Sequence, residues 1–305
     1  MTTKQKEAIK IGLHTVTISN RQKVFWPDEG FTKGDVINYY DKISDLILPY
    51  LKDRPLSLKR NPNGINDKGF YHKDTGENAP SFVDVFPIRS ESNNKIIDYI
   101  ICNNKATLLY IVNLGCIEIN PWNSTTKKID SPTWMVIDID PSDDNTFTEV
   151  VDTALATKSV LDKAGIKCYC KTSGASGLHV YVPLKNKYDY VTVKDFAHIV
   201  ASLVQQQLPK TTTLERSLDK RGPRIYIDWF QNRTGQTLAS VYSLRPVPGA
   251  TVSTPLDWKE VDHKLSPHQF TMKNIFQRLK KKGDLFRPVL TEVNSIEKAL
   301  KKLKV

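Results

Sequence analysis

The chain has 305 residues, with 44 lysines and arginines against 33 aspartates and glutamates, a formal net charge of +11. That length holds one large domain or two small ones with ample core. The positive balance suits a polyanion partner, most often nucleic acid, about as well as it suits a merely solvated basic face. The four cysteines (Cys102, Cys116, Cys168, Cys170) lack ligand-pair spacing, and with six scattered histidines they make neither a zinc site nor a disulfide framework. The amino terminus has no signal-peptide core and no run is long enough to span a bilayer, so a cytoplasmic protein without membrane attachment is expected.

Residues 1–12 read as a polar, basic, flexible arm. A short alternating strand follows from Thr15 to about Asn20, and Thr32-Lys-Gly-Asp caps a predicted helix over 36–51 whose Val36, Tyr39, Tyr40, Ile43, Leu46 and Leu51 make a core-facing stripe. Residues 54–60 read as a strand running into the turn Asn61-Pro-Asn-Gly. Phe70 and Tyr71 next to His72 and Lys73 interleave aromatics with charge. Such a cluster can stack nucleobases, but adjacent aromatics on pattern alone are more often half-buried strand residues. An apolar run at 106–116 precedes another strand, Ile117-Glu-Ile-Asn-Pro-Trp.

The second half is more regular. Trp134–Asp140 alternates as a strand, with Met135, Ile137 and Ile139 on one face and Asp138 and Asp140 on the other, about 6.6 Å apart along the backbone. Thr146 and Glu149 make a capping box for a helix that Gly165 ends. A strand at 166–171, a Ser173-Gly-Ala-Ser-Gly turn, a strand at 178–184, a helix from about Thr192 to Leu208 and a strand at 224–230 complete the order β-α-β-β-α-β. That order is a split βαβ unit of the ferredoxin-like and RNA-recognition kind. Its topology sets the Asp138/Asp140 strand between the strand with His179 and the strand with Asp228, so a third carboxylate reaches the same patch.

Taken singly these features are ambiguous. Asp138-x-Asp140 is a metal pair or a solvated turn pair with even weight. A calcium loop starting at Asp138 fails because Asp143 stands where glycine is required and a strand precedes it. A haloacid-dehalogenase-type phosphatase fails because the element order lacks a parallel doubly wound sheet. The turn from Ser173 through Gly177 to His179 could make an anion nest, with Ser173 and His179 as added donors, but a plain glycine hairpin accounts for it somewhat better. Arg221, Arg224 and Arg245 suit bidentate phosphate pairing, though each alone is more often a surface charge.

Together the stretches resemble the archaeo-eukaryotic primase superfamily, and more closely the polymerase domain of bacterial DNA ligase D used in non-homologous end joining. The resemblance covers about residues 10–290. It rests on Asn20-Arg-Gln-Lys-Val-Phe-Trp-Pro, Arg54-Pro-Leu-Ser-Leu-Lys-Arg-x-Pro-Asn-Gly, Val136-Ile-Asp-Ile-Asp-Pro, Thr172-Ser-Gly-x-x-Gly-Leu-His, Ile227-Asp-Trp-x-Gln-Asn and Tyr242-Ser-Leu-Arg. Six spaced motifs in one order are far more specific than any one of them.

The resemblance implies an α+β, primase-like fold in which an amino-terminal αβ half (about 13–130) packs on the catalytic β-α-β-β-α-β half (about 131–250). Carboxy-terminal helices would run to 290 and a basic tail over 291–305. It further implies that Asp138, Asp140 and Asp228 bind two manganese or magnesium ions. Ser173, His179, Arg221, Gln231 and Arg245 would contact the nucleotide, with Lys59 nearby. Lys23 and Lys33, with Asn20 close by, would grip a 5′-phosphate across a gap, and Phe70 and Tyr71 would stack on the template. One departure is Asn120, which stands where the family has histidine and cannot be a cation.

The expected function is a template-directed nucleotidyltransferase that fills gaps and extends ends in double-strand break repair, preferring ribonucleotides. Its expected partners are gapped or broken DNA and nucleoside triphosphates, with Ku and a separate DNA ligase as candidates, because no ligase or nuclease module follows residue 305. A nucleoid-associated monomer is expected. A de novo primase shares the motifs, and a non-catalytic end-binding module is the alternative from another class, disfavoured because it would not need the acids.

Overall fold

The computed structural model describes residues 6–76, 79–90 and 94–304, which form two compact units. The first runs to Trp122 and takes back Thr237–Val252 and Thr271–Lys273; the second holds Asn123–Gln236, Ser253–Phe270 and the chain from Asn274 on. The halves expected from sequence meet at about residue 130, with 131–250 in the catalytic one. The structure differs because the returning 237–252 stretch is tied to the first unit. Ser240 N donates to Ile119 O (2.9 Å), Tyr39 Oη donates to Tyr242 O (2.7 Å) and Trp26 Nε1 donates to Val247 O (2.8 Å).

In the first unit Lys6–Ile11 (β1) and His14–Ser19 (β2) form an antiparallel hairpin about Gly12, whose φ of +58° suits a residue without Cβ. The expected arm over 1–12 is therefore corrected from Lys6 onward. β1 is mostly exposed, with Lys6, Glu7 and Lys10 among its six residues, so it reads like an arm; residues 1–5 lie outside the described residues. Val24–Trp26 (β3) pairs with Phe31–Thr32 (β4), and Lys33–Leu51 (α1) follows with the Thr32–Asp35 capping box formed. Leu56–Arg60 (β5) lies between Phe70–His72 (β6) and, beyond the hairpin Asp84–Arg89 (β7) with Ile96–Ile101 (β8) and the helix Lys105–Asn113 (α2), the strand Cys116–Pro121 (β9). The apolar run at 106–116 is thus a buried helix entering a strand, with Gly115 (φ +85°) at the junction.

The second unit opens with a small ribbon, Ser124–Thr125 (β10) and Lys128–Pro132 (β11), and then builds the predicted sheet. Trp134–Asp140 (β12), Phe147–Lys163 (α3), Tyr169–Thr172 (β13), Leu178–Pro183 (β14) and Tyr190–Gln207 (α4) follow in order. After them come the short Thr212–Thr213 (β15), the single-turn Leu218–Arg221 (α5), Ile225–Asp228 (β16) and Pro255–Leu256 (β17). The strand order is β15-β16-β12-β14-β13-β17, so β12 lies between β16 and β14 as the split βαβ reading requires. α3 and α4 cover one face, where Met135, Ile137 and Ile139 join Val150, Val180, Phe196 and Val200 in a core from which water is excluded. Alternation then puts Asp138 and Asp140 on the opposite face.

Three further helices, Ile275–Lys282 (α6), Pro288–Thr291 (α7) and Ile296–Leu303 (α8), end the chain. The basic tail expected over 291–305 carries α8, which buries Ile296 and Ala299 and turns its lysines outward. Among the described residues no helix is long and apolar enough to cross a membrane.

Candidate active site

Cross-strand register sets the centre of the site. Asp138 is the direct partner of Asp228 on one side and of His179 on the other, and His179 is in turn the partner of Lys171. Residues opposed in this way share a face with Cβ atoms about 5 Å apart. The four side chains Asp228, Asp138, His179 and Lys171 therefore stand in one row across β16, β12, β14 and β13. Asp140 lies one pleat further along β12, opposite Tyr226.

Each acid faces a protein donor. His179 Nε2 lies 3.3 Å from Asp138 Oδ1, Arg221 Nη1 donates to Asp140 Oδ2 (3.1 Å), and Asp228 Oδ2 accepts from Gln231 Nε2 (2.9 Å) while its Oδ1 accepts from Phe230 N (2.9 Å). The Arg221 guanidinium also lies 4.1 Å over the Tyr226 ring, which fixes its approach. These donors do not cancel the crowding. Burial first, and then the charge of Asp138, push the Asp228 carboxyl up from 3.8 to about 6. Partial burial at its base and Asp138 also raise the half-exposed Asp140, against the pull of Arg221.

Three neighbouring carboxylates, two of them raised by burial and by the charge of Asp138, make a site suited to a positive charge. All-oxygen donors suit hard divalent cations. As the side chains stand, no three His, Cys, Asp or Glu among the described residues converge on one point. The reason is visible in the hydrogen bonds: Asp140 is turned to Arg221 and Asp228 to Gln231. Charge and donor chemistry fit hard divalent ions, while the rotamers present do not bring the three acids to one point.

The turn after β13 differs from the expected nest. Ser173 Oγ accepts from Ala175 N and Gly177 N (both 3.0 Å), and Ser173 N donates to Gly177 O (2.9 Å), so two of the amides point into the turn rather than outward. Gly177 is required for a packing reason: a Cβ there would lie 2.2 Å from Ile139 O of β12. Arg224 caps the α5 turn, donating from Nε to Arg221 O (2.8 Å), and does not reach the acids.

Of the predicted residues, Asp138, Asp140, Asp228, Ser173, His179, Arg221 and Gln231 belong to the second unit, whereas Lys59, Arg245, Asn20, Lys23, Lys33, Phe70 and Tyr71 belong to the first. There, Arg245 Nε donates to buried Glu118 (2.8 Å). Lys59 Nζ donates to Gly69 O (3.1 Å) and lies 4.8 Å over the ring of Tyr71, its cross-strand partner. Phe70 and Tyr71 lie on β6 and are 46 % and 60 % exposed, which fits the half-buried strand reading, with Lys59 over the Tyr71 ring and Arg60 over the Phe70 ring.

Asn20 takes the left-handed conformation (φ +56°) and its carbonyl accepts from Lys23 N, closing a tight turn, while Lys33 N donates to Lys23 O (2.8 Å). Lys33 is buried at the start of α1, where helix N–H groups favour anions. Its Nζ donates to Ser19 O (2.7 Å), and burial, then Lys23, lower its ammonium to about 8. Asn120, in place of the expected histidine, is buried and donates from Nδ2 to Ser57 O (3.1 Å), a cross-strand tie within the sheet.

Three participants were not found from sequence. Lys171 is fully buried against His179, and Ser253 Oγ meets Lys171 Nζ (2.6 Å). Asn232 clamps β12 where β16 has ended: its Oδ1 accepts from Val136 N (2.8 Å) and its Nδ2 donates to Val136 O (2.7 Å). Lys171 and Asn232 lie beside or inside quoted motifs, and for Lys171 a charged residue at an inward strand position is the available signal; nothing in sequence links Ser253 to them.

Comparison with known proteins agrees with this geometry. A family model described as the LigD primase-polymerase domain matches residues 32–286. The chain belongs to the LigD primase-polymerase domain family. Bifunctional non-homologous end joining protein LigD of Bacillus subtilis is 33 % identical over 262 residues, covering 86 % of this chain and 42 % of the relative. Multifunctional non-homologous end joining protein LigD of Mycolicibacterium smegmatis is 30 % identical over 277 residues, 90 % of this chain and 36 % of the relative. The chain thus spans about two fifths of the curated relatives it matches. Among solved structures, the polymerase domain of Mycobacterium tuberculosis ligase D in complex with DNA superposes with a TM-score of 0.84 at 26 % identity, covering 92 % of this chain and 99 % of that one. The α+β, primase-like architecture expected from sequence is therefore the observed one. A LigD-type primase-polymerase domain transfers nucleotides, and the acid row on β12 and β16 lies at the centre of its sheet.

Proposed function

We propose that this primase-polymerase domain is a metal-dependent nucleotidyltransferase that extends DNA ends and fills short gaps during end joining, with ribonucleotides preferred. One observation carries the reading: Asp138, Asp140 and Asp228 lie on adjacent strands and on one face, where burial and then the charge of Asp138 raise the carboxyls of Asp140 and Asp228. Asp138, Asp140 and Asp228 would hold two manganese or magnesium ions. Bound there, the ions neutralise charge on the transferring phosphoryl group and lower the pKa of the primer 3′-hydroxyl.

The chain's own residues do the rest. Arg221, braced by the Tyr226 ring, and Gln231 are released from Asp140 and Asp228 as those acids turn inward, and both become donors for the triphosphate. His179 offers its Nε2–H beside Asp138, and Ser173, Arg245 and Lys59 are assigned to the nucleotide as well. Lys33, Lys23 and the Asn20 turn form a cationic pocket at a helix start suited to a 5′-phosphate. Exposed Phe70 and Tyr71 offer stacking faces to an unpaired template base. Ku and a separate DNA ligase remain the proposed partners, and a cytoplasmic, nucleoid-associated monomer the proposed state.

The test is nucleotide incorporation with manganese on a gapped duplex carrying a 5′-phosphate, compared with an unprimed single strand. Wild type should extend the gapped primer, and Asp138→Ala and Asp140→Ala should lose incorporation by about a thousandfold or more. Equal incorporation by wild type and the alanine variants would refute the catalytic reading, leaving an end-binding module. Synthesis on the unprimed strand at a comparable rate would instead make it a primase.

A further inference from the structure

The row across the sheet does not end at His179. Lys171 on β13 is its direct cross-strand partner, and the lysine is fully buried. Lysine almost never occupies such a position without partners for its ammonium. Its Nζ lies 2.9 Å from His179 Nδ1 and 2.6 Å from Ser253 Oγ, and 5.7 Å from the Tyr181 ring centroid. Ser253 Oγ donates its own proton to Thr172 O (2.9 Å), so towards Lys171 it presents lone pairs. The ammonium is thus anchored by a fixed acceptor that does not belong to the acid cluster.

We propose that Lys171 is the positioning residue that holds His179 as the Nε2–H tautomer, with the donor aimed at the catalytic face. An ammonium has three donors and no lone pair. With Lys171 as the ammonium, the ring nitrogen it meets is the unprotonated acceptor, and the proton of a neutral imidazole then sits on the other nitrogen. That other nitrogen, Nε2, lies 3.3 Å from Asp138 Oδ1. The same constraint fixes the ring plane, because the imidazole is held at one edge by Lys171 and at the other by Asp138.

The inference rests on the polymerase reading only for what His179 is donating to. When Asp138 is engaged elsewhere, the Nε2–H is left facing the site as a neutral, directed donor for a phosphate oxygen. It transfers no proton: Nδ1 is occupied and Nε2 keeps its hydrogen. A row of alternating demand then runs from strand to strand, with Lys171 supplying at one edge the donor that Asp228 and Asp138 consume at the other.

The experiment is long-range ¹H–¹⁵N correlation of the histidine rings in the whole chain near neutral pH, without ions, DNA or nucleotide, with His179 assigned by the peaks lost in His179→Gln. Wild type should show His179 with an unprotonated Nδ1 and a protonated Nε2. A proton on Nδ1 in wild type overturns the proposal, and this measurement needs no folded variant. Lys171→Met, which keeps the length of the stem, should shift His179 to a tautomer mixture and raise the KM for nucleotide by about tenfold, the loss of one directed hydrogen bond, with kcat less affected. Lys171→Arg, also a donor without a lone pair, should restore the wild-type tautomer. An unchanged His179 tautomer in a folded Lys171→Met protein also overturns it. Because the ring measurement uses no substrate, a chain that incorporated no nucleotide would refute the polymerase reading while leaving this inference to be decided on its own.

Discussion

Asp228→Asn should make the ion-free protein more stable. The Asp228 carboxyl rises from 3.8 to about 6, through burial and then the charge of Asp138. At about 1.4 kcal/mol for each pH unit, holding it ionised at neutral pH costs the folded state about 3 kcal/mol. The partial exposure of Asp228 reduces that to about 2 kcal/mol. The amide can be accommodated: Oδ1 still accepts from Phe230 N, and Gln231, whose Oε1 is buried without a partner, can turn that oxygen to the new donor.

The sign with pH follows from the raised folded-state value. Asp228 contributes stability when protonated, fully present below about 4 and lost as pH climbs to about 6. The variant's advantage should therefore be complete near pH 7.5 and close as pH falls from about 6 to about 4. The assay is urea denaturation with chelator at several pH values; about 2 kcal/mol corresponds to a Tm rise of about 4–8 °C in a chain of this size. Adding manganese should reverse the order, because wild type alone gains a complete ligand set. A variant no more stable than wild type in chelator, or a gap that stays constant across that pH range, would refute the reasoning.

Other outcomes follow from the same contacts. Affinity for a 5′-phosphorylated gap, relative to a 5′-hydroxyl gap, should decline as pH rises past about 8, where Lys33 loses its proton. Lys23→Ala with Lys33→Ala should remove the phosphate advantage in an anisotropy titration, and an unchanged advantage would move the pocket elsewhere. Gly177→Ala puts a Cβ against Ile139 O and should cost more than 3 kcal/mol or displace the turn from β12. Gly76→Ala, at φ +68° but with open space around it, should cost only about 1 kcal/mol. Asn232→Ala leaves both backbone groups of buried Val136 without a partner and should cost about 3 kcal/mol in denaturation.

Much of the catalytic sheet was legible because it is written in short-range patterns. Alternation in Trp134–Asp140 assigned the acids to one face, and the capping boxes at Thr32 and Thr146 placed α1 and α3. The β-α-β-β-α-β order then fixed which strands flank β12. The amino-terminal region was harder. β1 is a mostly exposed strand held by its pairing with β2 rather than by burial, so nothing in its composition separates it from an arm. The inward use of the turn amides at 175 and 177 was equally hidden, because a glycine-rich turn has the same sequence whether its N–H groups face a ligand or Ser173 Oγ.

By itself the sequence determined the chemistry: three carboxylates, their common face, and a family signature spread over six motifs. Only the tertiary structure decided how those groups are held. Pairing Asp138 with both Asp228 and His179 is a matter of register, and a slip of one residue would turn each side chain to the opposite face. The return of Thr237–Val252 to the first unit, the Asn232 clamp and the burial of Lys171 against His179 and Ser253 all depend on contacts between residues far apart in the chain or on neighbouring strands. Local periodicity carries no term for such contacts, so the residues that carry charge could be read early and those that aim it could not.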